Sequence, residues 1–261
     1  MEYVQFKNFK KYGDIITHCF TTRVGGVSTG ECCSLNFALN RNDTQENVKE
    51  NFKRLCSVLG IDFNKLVFSN QIHDNKVKVV DESDRGKGIV RKSDIVGYDA
   101  LITDKRQVPL VTFYADCVPV LLFDTRKKAI GAAHSGWKGT VAQIAGETVQ
   151  AMTDNFGCFP DDMEAVIGPS IGKCCFEVGE EVYNDFKDKI AWSEKFCAKA
   201  GNNKWYIDLQ EIIKNTLLNN GLSKDRISIS NVCTKCRKDI FFSHRGDRGK
   251  TGCMVAVLQI N

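Results

Sequence analysis

Four histidines and 12 cysteines supply all the imidazole and thiol groups in the chain, and three of them stand where side chains can meet. His73 lies in the segment NQIHD after a strand-like run. Cys117 lies in YADCVPVLLF between two strand-like runs, and His134 ends AIGAAH before the small-residue turn SGWKG. A thiolate with two imidazoles is a standard donor set for a catalytic zinc, which keeps a fourth position open for water or substrate. The same residues also suit a cysteine nucleophile with a histidine base, with Asp116 or Gln71 as the group that orients the imidazole. Residue types alone leave both chemistries open.

Three loops could complete such a site. FTTRVGGVSTG, residues 20 to 30, sets Arg23 beside Gly25 and Gly26, a guanidinium next to exposed backbone N–H groups that suits a phosphate or oxyanion. HSGWKGT, residues 134 to 140, sets Lys138 at a helix start, where free N–H groups and the positive dipole end favour an anion. FFSHRGDRGKTG, residues 241 to 252, places His244, Arg245 and Arg248 in a polar loop that reads either as a solvated hairpin or as a cover over the cleft. Together with a metal candidate, the first two turns point to a phosphate-bearing substrate or a phosphate-using reaction. Cys233-Thr-Lys-Cys236 and Cys174-Cys175 could form a structural zinc site, but adjacent cysteines lack the usual two-residue spacer, so buried, inert thiols are the preferred reading. A thioredoxin-like role does not suit a C-x-x-C that follows a short strand near the C-terminus.

The elements that must position these groups mix strands and helices throughout. Strands are expected at 66–69, 77–80, 109–114, 118–123, 129–133, 163–167, 227–230 and 254–259. Helices are expected at 43–59, 140–152, 179–187 and 208–219. The first should be capped by Asp43 with Glu46 and end at Gly60. VPVLLF is apolar on both faces and should be a central strand, whereas 76–80 alternates and should be half exposed. A mixed-sheet α/β (α+β) fold follows, a layered sandwich with helices flanking the sheets. The length of 261 residues, 43% hydrophobic content and absence of linkers or repeats favour one domain over 1–261.

The net charge of +4 has no basic block, so dedicated nucleic-acid binding is not expected. No 18-residue apolar run exists and the N-terminus lacks signal-peptide character, so a membrane role is not expected. Reduced thiols in a long chain point to the cytoplasm.

The chain carries in order the motifs FTTRVGGVS, SLNFALNRND, ENVKENFKRL, NQIHD, YDALITD, ADCVPVLLFD, AAHSGWKGTV, IGPSIGKCCFEVGEEV and CTKCRKDIFFSHRGDRGKTG. In these it resembles the YfiH-like family, which has a multi-copper polyphenol oxidase or laccase-domain label and to which the human protein FAMIN is related. The motifs run over nearly the whole chain.

The resemblance implies a zinc held by His73, Cys117 and His134, with copper as a substitute because it binds such donors more tightly. It also implies phosphorolysis of adenosine, inosine and methylthioadenosine, with deamination of adenosine at the same site. Nucleoside and phosphate would then be the partners, with Arg23, Asn36, Arg41, Lys138 and Arg245 as the residues that contact them. The older label implies phenol oxidation, but four histidines are too few for a multi-copper arrangement. A non-catalytic factor editing cell-wall precursors is the alternative outside the enzyme class. The chain departs from the family pattern at Lys138, at NRND, and at Gly246 and Cys253, where arginine is common.

Overall fold

Side chains on a strand alternate between faces, and this alternation sorts the apolar residues into layers. A computed structural model describes residues 1–39 and 41–261. From the N-terminus the elements are β1 (Tyr3–Val4), α1 (Lys7–Lys10), β2 (Ile16–Thr21), α2 (Gln45–Leu59), β3 (Val67–Phe68), β4 (Val77–Val79), β5 (Ala100–Thr103) and β6 (Leu110–Tyr114). Next come β7 (Val118–Asp124), β8 (Ile130–Ser135), α3 (Trp137–Val141), α4 (Ile144–Phe156), β9 (Met163–Ile167), β10 (Glu177–Gly179) and α5 (Glu180–Lys189). The chain ends with β11 (Cys197–Gly201), β12 (Lys204–Ile207), α6 (Leu209–Asn219), β13 (Ile227–Ile229) and β14 (Met254–Ile260).

One mixed sheet has the order β1-β2-β14-β6-β3 and a second the order β13-β9-β7-β8-β5-β4; a small antiparallel sheet has the order β10-β12-β11. On β14, Met254, Ala256 and Leu258 share an apolar cluster with Leu121 and Phe123 of β7 and Ile130 and Ala132 of β8, so the two large sheets pack face to face. The intervening Val255 and Val257 turn to the other side, against Val48, Phe52 and Leu55 of α2. The outer face of the second sheet, with Val118, Val120 and Leu122, packs on Ile144 and Val149 of α4 and Ile212 and Ile213 of α6. The result is a helix–sheet–sheet–helix sandwich, the layered mixed architecture expected. β7 is buried along its whole length and paired on both sides, as expected, and β4, expected to be half exposed, is so and lies at a sheet edge.

Two helix starts differ from the sequence-based expectation. Thr44, not Asp43, caps α2 by accepting from Asn47 N, while Asp43 accepts from Thr44 N beside it. Gly60 ends the helix in the left-handed conformation, the C-terminal stop anticipated. The expected helix from 140 is broken: α3 ends at Val141, and Gln143 adopts a positive φ of 57° before α4 begins. This break lets the chain turn out of the candidate site before it runs along the sheet.

Candidate active site

β6 belongs to one large sheet and β7 to the other, so residues 115 to 117 carry the chain across the seam between them. Asp116 makes that corner with φ 84°, in the left-handed region that Asp tolerates better than most residues. Its carboxylate accepts from Thr234 Oγ1 at 2.6 Å and from Arg245 N at 2.7 Å, and its carbonyl accepts from Ile171 N at 2.8 Å. Anchored this way, the corner presents Cys117 at the mouth of the seam. His134 lies on β8 opposite Pro119 of β7, and His73 sits in the loop after β3 with φ 66°.

Asp99, just before β5, joins the two histidine segments. Its carboxylate accepts from the backbone N–H groups of Ile72, His73 and Asp74 at 2.9 to 3.0 Å, and from His134 Nδ1 at 2.8 Å. Asp99 is fully buried. Burial opposes its ionisation, but the His134 N–H and the backbone donors hold its carboxyl below the ordinary range. Bonding Nδ1 to Asp99 leaves Nε2 as the His134 nitrogen free to face the cleft, the arrangement that fixes tautomer and ring orientation in metal sites. Neither Asp116 nor Gln71 orients an imidazole. Gln71 instead pairs with the Phe113 backbone, accepting at 2.8 Å and donating at 3.1 Å.

The three donor atoms of His73, Cys117 and His134 lie within 4.8 Å of one another, with Cys117 Sγ 3.8 Å from His73 Nε2. The imidazole rings meet edge to face, centroids 4.8 Å apart. A Cβ on Gly136 would come within 2.7 Å of His73 Cδ2 and 3.1 Å of Cys117 Sγ, so the glycine of HSGW leaves the room that the converging donors need. Burial would raise the Cys117 thiol, yet the His134 imidazole, assisted by His73, pulls it down to about 6. For His134 burial acts downward, and the Cys117 sulfur and Asp99 outweigh it, lifting the imidazole to about 9. Each group thus favours the charged form of the other, thiolate beside imidazolium. These mixed donors converge on a point that a metal ion can occupy, with one side facing a cleft.

That cleft encloses about 670 Å³. Beside the three donors its walls include Phe68, Phe113, Tyr114, Arg41 and His244. Of the residues proposed to contact nucleoside or phosphate, Arg41 is the one on the cleft wall. Arg23 donates to the Cys33 carbonyl at 3.0 Å and the Lys238 carbonyl at 3.1 Å, with its guanidinium 4.5 Å from the centroid of Phe242, so it pins loops together away from the cleft lining. Asn36 is buried, accepting from Ala38 N and Cys253 N, and so sets the wall where Ala38 and Cys253 line the cleft. Lys138 is exposed on α3, outside the lining. Arg245 is exposed too, and donates its side chain to the Glu177 carbonyl at 2.7 Å.

The expectation of buried thiols fails at the second cysteine group. Cys174 and Cys236 are exposed, Cys175 and Cys233 half-buried, and all four sulfurs come within 4.8 Å of one another. Asp99 is the site residue that residue-type reasoning missed. The available signal was an acid placed just before a strand, in the quoted segment YDALITD.

A cleft between two sheets with a thiolate–imidazole donor set defines a class of α/β site, and comparison with known proteins places it. The family model described as multi-copper polyphenol oxidoreductase laccase matches residues 17–261, and the chain belongs to that family. It is 36% identical over 240 residues to the purine nucleoside phosphorylase YlmD of Bacillus subtilis, covering 92% of this chain and 86% of that protein. It is 32% identical over 255 residues to the human purine nucleoside phosphorylase LACC1, covering 95% of this chain and 56% of the human protein. The crystal structure of Bacillus licheniformis YfiH superposes with a TM-score of 0.94 at 33% identity, covering 99% of this chain and 96% of that one. Among the described residues, no helix is long and apolar enough to cross a membrane.

Proposed function

We infer that residues 1–261 form one cytoplasmic catalytic domain, a zinc-dependent purine nucleoside phosphorylase acting on adenosine, inosine and methylthioadenosine, with adenosine deamination at the same centre. The observation that carries this reading is the His73–Cys117–His134 trio, backed by Asp99 and open to a cleft large enough for a nucleoside. The names of the relatives supply the substrate class. Zinc, when bound, would contribute Lewis acidity and a water of lowered pKa. Phe68 and Phe113 offer the purine an apolar wall, and Arg41, which also lines the cleft, would hold phosphate for attack on C1′. In phosphorolysis a phosphate oxygen bonds to C1′ as the C1′–N9 bond breaks, and the departing purine takes up a proton.

The purified protein should release adenine and hypoxanthine only when phosphate is present, and convert adenosine to inosine without it. Base release that ignores phosphate would sink the phosphorolysis reading. Cys117→Ala should lose the trio's metal and slow both reactions by more than about 100-fold, beyond what loss of an outer-shell partner costs. Arg41→Ala should raise the KM for phosphate by about tenfold, the lower end for a charge-assisted hydrogen bond, and leave deamination close to wild type. Arg23→Ala should lower the melting temperature and leave that KM unchanged.

A second reading has support in Cys117, His134 and Asp99, which form a nucleophile–base–carboxylate chain with a thiol at about 6. It would make the protein a cysteine hydrolase. A metal content in Cys117→Ala equal to that of wild type, together with covalent labelling of wild-type Cys117 by an acyl substrate, would favour it over the zinc enzyme.

A further inference from the structure

We propose that Cys174, Cys175, Cys233 and Cys236 bind a second zinc ion, a structural one, that fastens the loop following β9 to the loop that pins the active-site corner. Three separations carry the geometry: Cys174 Sγ–Cys175 Sγ at 3.8 Å, Cys174 Sγ–Cys236 Sγ at 3.6 Å and Cys175 Sγ–Cys236 Sγ at 3.5 Å. Four sulfurs placed tetrahedrally about zinc at ~2.3 Å are about 3.8 Å apart, and the three edges among Cys174, Cys175 and Cys236 are close to that figure, with Cys233 Sγ within 4.8 Å of each. A disulfide needs ~2.05 Å between sulfurs and joins only two of them, whereas here each of three sulfurs is near both others. A four-iron cluster puts each thiolate on a separate corner of a cube and requires a wider set.

The backbone explains how adjacent cysteines reach one ion. Gly172 turns the chain so that its carbonyl accepts from both Cys175 N and Phe176 N at 2.9 Å, and this tight turn brings the two neighbouring thiols together. A Cβ on Gly172 would lie 3.1 Å from Cys233 Cβ and 3.4 Å from Cys174 Sγ, so the turn is pressed against the second loop. Ser170 pairs with Cys233 in a parallel bridge, and the Cys233 carbonyl accepts from Arg237 N at 3.0 Å, which folds Cys236 back toward Cys233. Four thiolates about a divalent ion leave two negative charges. Lys173 and Lys235, each a direct neighbour of the ligands, supply two positive ones. Soft thiolate donors without imidazole or carboxylate select zinc over magnesium, calcium or manganese.

The fastened loop matters to the cleft. Thr234 lies between the ligands Cys233 and Cys236 in sequence, and its hydroxyl holds one carboxylate oxygen of Asp116 while Arg245 N holds the other. Asp116 precedes Cys117 at the crossing between sheets, so the second ion would brace the corner that presents the catalytic thiol. No part of this inference depends on the phosphorylase reading.

Elemental analysis of protein purified under reducing conditions tests it. Wild type should carry about two zinc ions per chain, and Cys117→Ala and the double variant Cys233→Ser/Cys236→Ser one each. If the trio holds no zinc, wild type and Cys117→Ala should both carry one and the double variant none, so the two readings fail separately. With cobalt in place of zinc, Cys117→Ala should keep about four-fifths of the thiolate-to-metal charge-transfer absorption, because it retains four of the five proposed thiolate ligands. A double variant that binds as much zinc as wild type overturns the proposal, as does iron in the second site or a disulfide among these cysteines in the freshly reduced protein. Should the double variant not fold, Cys117→Ala decides alone: one zinc retained supports the site, and none overturns it.

Discussion

His18 on β2 and His134 on β8 face the same apolar layer between the two large sheets and are almost equally buried, at 2% and 3% exposure. Their protonation is driven in opposite directions. His18 lies against Phe6 and Phe9, with ring centroids at 5.9 and 5.3 Å, and its Nε2 accepts from Phe6 N at 2.9 Å. Burial, with the Lys10 charge adding to it, lowers that imidazole to about 4. His134 has Asp99 behind it and Cys117 in front, and is raised to about 9. A buried imidazole is thus an inert packing group or a poised donor according to whether a negative group stands beside it, and the surrounding strands decide which.

The largest effect expected from breaking this contrast is at Asp99. Asp99→Ala would strand the three backbone N–H groups of Ile72, His73 and Asp74 together with His134 Nδ1, costing about 3–5 kcal/mol, the usual range for removing one partner of a buried charged pair. Chemical denaturation checks this, and a loss under about 1 kcal/mol would show that the acid does not organise the segment. Asp99→Asn keeps an acceptor for the backbone and loses the charge behind His134. It should fold, yet bind the trio's metal about 10–100-fold more weakly. Unchanged metal affinity in Asp99→Asn would mean that the charge behind His134 does not set the strength of the trio.

How much of this was legible beforehand depends on how local each signal is. VPVLLF reads as a central strand because burial on both faces leaves no polar position in the run, and β7 is one. The expected strands at 163–167 and 227–230 correspond to β9 and β13, but nothing local says that they pair in parallel. The trio could be listed because only four imidazoles exist and His73 and His134, with Cys117 between them in sequence, adjoin strand-like runs. Asp99 could not, since acids are common and its bond to His134 depends on β5 pairing with β8. The cysteine tetrad could be named but not preferred, because adjacent cysteines lack the usual spacer and the Gly172 turn that makes neighbouring thiols converge has no signature beyond a glycine. Arg23 beside two glycines resembles an anion cradle in sequence. In the fold its guanidinium is taken up by two carbonyls and an aromatic face.

A smaller effect sharpens the comparison from the His18 side, through the pH dependence of stability. An unfolded chain protonates His18 near 6.5, whereas the folded protein holds off that proton until about 4. Above 6.5 both states are neutral at this residue and it contributes no slope. Between 6.5 and 4 the unfolded state binds the extra proton, so stability falls as the pH is lowered, and the loss levels off once the folded protein also protonates. By pH 4 this one group should have removed about 3 kcal/mol, since each unit of pKa difference corresponds to about 1.4 kcal/mol. Carboxylates such as Asp43, whose hydrogen bonds to Asn36 and its neighbours outweigh burial and keep it below the ordinary range, lose stability as the pH falls further and overlap the lower part of this window. His18→Gln separates the contributions, because the amide offers Phe6 N an acceptor and does not titrate. Urea denaturation of both proteins at pH 7.5, 5.5 and 4 should show the variant somewhat less stable at pH 7.5, with a shallower decline on acidification and most of the difference in slope falling between 6.5 and 4. Parallel declines in the two proteins would show that His18 takes its proton in the fold as readily as in the open chain, and the contrast with His134 would then rest on Asp99 and Cys117 alone.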